Sequence, residues 1–64
     1  MKKYYNFGTM FLTLRNALRE YLKSNNIYYE LSQNGSYYHF EILVNGAELE
    51  KVNAFLDTQI ITEV

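Results

Sequence analysis

The chain has 64 residues and a net charge of −1, with no cysteine, one histidine, seven tyrosines and four phenylalanines. That length fits one small domain with a modest core. The absence of cysteine removes disulfide stapling, a single histidine leaves a structural zinc site short of nitrogen ligands, and the charge lacks the basic excess of a generic nucleic-acid binder.

Taken in chain order, KKYYNF (2–7) is an aromatic run before Gly8 and reads as a strand. Thr9 offers an N-cap, although no Glu or Gln stands at the capping-box position. From Met10 to Ser24 the spacing predicts a helix, with Phe11, Leu14, Leu18, Tyr21 and Leu22 forming one apolar stripe around Ala17. Ser24, Asn25 and Asn26 end it, since Asn tolerates the left-handed cap conformation.

IYYELSQNGSYYHFEILV (27–44) then reads as a hairpin turning at Asn34-Gly35, because a two-residue type I′ loop needs positive φ at both central residues. That turn sets Leu31 opposite Tyr38, Tyr29 opposite Phe40 and Ile27 opposite Ile42 on one face. On the other face it sets Glu30 opposite His39 and Tyr28 opposite Glu41. Asn45 and Glu48 form a capping box for a second helix, whose stripe is Leu49, Val52, Phe55 and Leu56 and whose end falls near Asp57. TQIITEV (58–64) reads as a last strand.

The predicted order is β-α-β-β-α-β. It implies an α+β fold of the ferredoxin-like split βαβ type, a four-stranded antiparallel sheet with two helices on one face. The first and third strands would be central, and Ile27–Ser32 and Gln59–Val64 would be the edges. An αββα arrangement with both termini outside the fold is the alternative. The second sheet face would stay open, as antiparallel sheets permit. With Tyr5 and Phe7 turned inward, that face carries Tyr28, Glu30, Tyr37, His39 and Glu41, together with Tyr4 and Asn6.

Half-exposed tyrosines are ordinary in strands, where cross-strand pairs stabilise. Their density here points further, to a contact surface, because tyrosine offers a large rigid area with a polar tip. Arg15, Arg19 and Lys23 recur every four residues on the first helix. They are a solvated face or a docking strip for an acidic partner or a phosphate backbone. RNA-recognition motifs share the topology and stack bases on aromatics of the central strands. Here Asn34 stands where a basic residue would, and Glu30 and Glu41 would repel phosphates.

Gly8-Thr9 before a helix could hold an anion, but no basic residue adjoins them. The arginine that an acylphosphatase-like site would need is also missing from that loop. No catalytic, metal or cofactor constellation is visible. No apolar run is long enough to span a bilayer, and the first twenty residues read poorly as a signal peptide because Asn6, Gly8, Thr9 and Thr13 interrupt them and Arg15 and Arg19 follow. The cytoplasm is the expected location. Many Asn and Tyr with no Pro or Trp hint at an AT-rich coding genome, such as that of a low-GC bacterium or a phage.

The expected function is a small non-catalytic protein that binds another protein, and possible modes are inhibition of a host enzyme or defence complex by surface occlusion and pairing with itself as a homodimer. The alternative is a module that binds nucleic acid or a small ligand on the tyrosine-rich face.

Overall fold

The structure, a computed structural model, describes the backbone of residues 1–63 and the side chains through Gln59. Its elements are β1 (Lys3–Thr9), α1 (Leu12–Ser24), β2 (Tyr29–Asn34), β3 (Tyr37–Val44) and α2 (Gly46–Glu63). The strands form one antiparallel sheet in the order β1-β3-β2.

The sheet therefore has three strands, not the four expected. Residues 58–63, expected as a last strand, are the final turns of α2, and Val64 lies outside the described residues. Thr58, Ile60, Ile61 and Thr62 are β-branched and favour strand, but such propensity is a weak prior. No Gly or Pro interrupts residues 47–63, so nothing in the chain stops the helix at Asp57. Thr58 also satisfies its hydroxyl within the helix, donating from Oγ1 to the Phe55 carbonyl at 2.6 Å. With no fourth strand beside it, β1 is an edge rather than a central strand. Among the described residues, only β3 has neighbours on both sides. The αββα alternative fails as well, since β1 pairs with β3 along seven residues from Lys3 to Thr9.

Both helices cover one face of the sheet. Leu14, Leu18 and Leu22 of α1 and Val52 and Leu56 of α2 close over Phe40, Ile42 and Val44 of β3, with Ile27 completing the core. Tyr5, Phe7, Tyr29 and Leu31 pack against it from the outer strands, as their alternation requires. Phe40 lies between Phe7 and Tyr29, with ring centroids 6.5 and 6.0 Å away. Tyr21 stacks on Phe55 at 4.3 Å and ties the helices together. Phe11, expected in the buried stripe, is 58% exposed and serves as the N-cap of α1. Thr9 is not that cap. It closes β1, is buried, and its Oγ1 accepts the Phe11 N–H at 3.1 Å.

The other helix ends follow the sequence closely. Asn26 takes the left-handed conformation (φ 56°) after α1. Its N–H reaches the Lys23 carbonyl, and the Ile27 N–H reaches that of Leu22 at 3.0 Å. This is a Schellman closure, with buried Ile27 and Leu22 as its hydrophobic contact. At α2 the Glu48 N–H donates to Asn45 Oδ1 (2.8 Å) and the Asn45 N–H to Glu48 Oε1 (3.0 Å), a complete capping box.

The hairpin closes one residue later than expected. Asn34 pairs with Tyr37, so Gly35 and Ser36 fill the loop, and of these turn residues only Gly35 has positive φ (+65°). That is the pattern of a type II′ turn with glycine first. Every pairing moves by two: Leu31 faces Phe40, Tyr29 faces Ile42, Ser32 faces His39 and Glu30 faces Glu41. An even shift leaves each side chain on its own face, so the inward and outward sets survive the correction.

Candidate interaction surface

The uncovered face is laid out in rows across the three strands. Tyr4 pairs with Leu43, whose N–H donates to the Tyr28 carbonyl at 2.9 Å, giving the row Tyr4–Leu43–Tyr28. The next row is Asn6–Glu41–Glu30, and the third is Gly8–His39–Ser32. Tyr37 and Asn34 end the face at the turn.

The first row is an apolar stripe at the surface. Tyr4 and Tyr28 are each 54% exposed, and half-buried Leu43 fills the space between them. The second row holds two carboxylates on directly opposed residues. Like charges so placed destabilise a sheet, here by roughly a few tenths of a kcal/mol because both groups are solvated. The expected Glu30–His39 pairing is replaced by this one. Among the described residues neither carboxylate has an ion-pair partner. The Tyr28 hydroxyl donates to Glu30 Oε2 at 2.9 Å.

That hydrogen bond, and then the charge of Glu30, hold the Tyr28 phenol above the ordinary tyrosine value of 10.0. The folded chain therefore keeps the Tyr28 proton more tightly than the unfolded chain. The contribution is intact below the unfolded value and fades as pH climbs through the higher folded one. Followed by absorbance at 295 nm, one tyrosine should ionise later than a free phenol, and Glu30→Gln should return it to the ordinary range. Identical titrations for the two proteins would show that the Tyr28–Glu30 bond is not formed.

Tyr37 has a structural task. A Cβ built on Gly8 would overlap the Tyr37 hydroxyl and ring, so this ring lies diagonally across the strands on the glycine of edge strand β1. Such cover protects a weak strand position. His39 is half-buried beside it.

The helical strip Arg15, Arg19, Lys23 lies in the helix layer, on the far side of the sheet, so it and the tyrosine face are separate surfaces. The Arg15 guanidinium sits 5.0 Å from the Tyr38 ring centroid and donates from Nε to Asn16 Oδ1 at 3.1 Å, so it is already engaged. Two features escaped the sequence reading. Leu43 shares the parity of His39 and Glu41 and could have been placed with them. Met10, Phe11 and Leu12 form three consecutive exposed apolar residues running from the β1–α1 connection into the first residue of α1.

A groove of about 360 Å³ opens between the start of β1 and the start of α2. It is lined mainly by Tyr4, Tyr5, Val44 and Leu49, with Lys3 and Asn45 as its polar neighbours. Its lining includes no carboxylate and no histidine. Among the described residues, no three acidic, histidine or cysteine side chains group as a metal site, and no helix is long and apolar enough to cross a membrane.

No family model, curated protein or solved structure matches the chain.

Proposed function

We propose that the chain is a non-catalytic binding module that docks another protein on the open face of its sheet. The observation that carries this reading is the Tyr4–Leu43–Tyr28 stripe, exposed and uncovered by either helix. Aromatic rings and a leucine on a sheet face offer apolar area at low entropic cost, the composition enriched at the centres of protein interfaces. The polar rows beside the stripe supply a rim. Occupation of a partner's surface, rather than turnover, is the mode of action this implies, and inhibition by occlusion is its natural outcome. Stacking of nucleic-acid bases on the same rings is opposed by Glu30 and Glu41 at the middle of the face.

The test is site-specific photocrosslinking in cells of the source organism, with benzoylphenylalanine at Tyr28 or, as control, at Glu20 on α1. Discrete protein adducts should form from the Tyr28 position and vanish when Leu43→Asp is added, with the circular dichroism unchanged. Adducts from the Glu20 position alone would place the binding surface on the helices and end this reading.

A further inference from the structure

The partner's chemistry can be taken one step further, on the reading that the open face is the docking surface. We infer that the partner presents an arginine there, its guanidinium received by the Glu30 and Glu41 carboxylates with the Tyr28 and Tyr4 rings alongside.

The open face carries a local electrostatic conflict. Glu30 and Glu41 are directly opposed on adjacent strands, and the residue completing their row is the neutral Asn6. The chain has six basic residues and places none of them on this face. Lys2 pairs with Glu48 at 3.7 Å, and Lys3 shares the parity of the inward-facing Tyr5 and Phe7. Arg15, Arg19 and Lys23 are on α1, and Lys51 is on α2. A sheet that opposes like charges, with half-buried His39 one row away and no lysine or arginine on the face, gives up stability, and such breaches of local consistency concentrate at functional sites.

The geometry favours arginine over lysine. Directly opposed strand residues hold their Cβ atoms about 5 Å apart. Two carboxylates at that separation can both reach the forked N–H groups of one planar guanidinium. Tyrosine faces beside them add cation–π contact, which arginine uses most often. A compact ammonium would satisfy one carboxylate and leave the other unpaired.

The experiment titrates ¹⁵N-labelled protein with two synthetic nine-residue peptides. One carries three arginines, and the other has citrulline, the neutral isostere, at the same positions. The arginine peptide should shift the amides of Tyr28, Glu30, Glu41 and Leu43 and bind at least tenfold more tightly than the citrulline peptide. The Glu30→Gln/Glu41→Gln double variant should lose that preference while its Tm rises by about 1–3 °C, since it no longer opposes two charges. Weaker binding by a more stable protein cannot come from misfolding.

Equal affinity for the two peptides, or an unaffected double variant, would overturn the inference. So would a mass in light scattering that doubles with concentration and reverts in Arg15→Gln/Arg19→Gln, because the face would then belong to a second copy. The two readings separate in the crosslinking assay. Tyr28 adducts that persist in the double variant would keep the docking face and remove only the arginine, whereas a wild type without such adducts would remove both.

Discussion

Phe40→Ala should strip away most of the chain's folding stability at 25 °C. Phe40 is fully buried at the centre of β3, the one strand among the described residues with neighbours on both sides, and its ring is flanked by Phe7 and Tyr29. Truncation removes the ring's transfer energy and leaves a cavity between three strands and two helices, a loss of about 3–5 kcal/mol. A single domain of this size has a total stability on the order of 5 kcal/mol, with no disulfide to hold the remainder together. Far-ultraviolet circular dichroism and a urea melt check this directly. Phe40→Leu should stay folded with a lower urea midpoint. A Phe40→Ala protein that melts like the wild type would mean the ring is not in the core.

A pair of substitutions in α1 should separate burial from chemistry. Leu18 is fully buried, and Leu12, on the same helix, is 51% exposed. Leu18→Ala should cost about 2–5 kcal/mol, whereas Leu12→Ala should fall within about 0.5 kcal/mol of the wild type. Alanine is the better helix former at both positions, so propensity cannot produce the difference. Equal losses at the two sites would mean that α1 is rotated about its axis relative to the arrangement described here.

The features legible in the sequence were those written in local chemistry. The Asn45–Glu48 capping box, the left-handed Asn26 and the inward set of β1 and β3 all follow from side chains within a few residues of one another, and all are present. The misreadings arose where local signals were ambiguous. The β-branched residues 58–62 look like strand, yet a helix already nucleated and capped at Asn45 runs through them because no breaker intervenes. Asn34-Gly35 and Gly35-Ser36 are both good two-residue loops, and the sequence does not choose between them. Phe11 fits the apolar period of α1 but stands before its first turn, where the period no longer dictates burial.

The candidate face was legible for a simple reason. Strand parity alone assigns Tyr28, Glu30, Tyr37, His39 and Glu41 to one side, and a two-residue register error preserves parity. What parity cannot give is who stands opposite whom. The opposition of Glu30 to Glu41 and the seating of Tyr37 on Gly8 therefore appear only in three dimensions.

The choice of loop bears on how the chain reaches its fold. Excised as a peptide, residues 27–44 would have two closing points one ladder step apart. The Asn34-Gly35 closure would even set Glu30 beside His39 instead of beside another carboxylate. The zipper from the tip inward is thus degenerate, and what breaks the tie lies at the opposite end. Ile27 is locked to Leu22 by the Schellman closure and sunk in the core, so β2 enters the sheet from a point fixed by α1. In the folded chain the register is held from the helix end as well as from the turn. A perturbation at Asn26 would show itself far away, as heterogeneity at the loop.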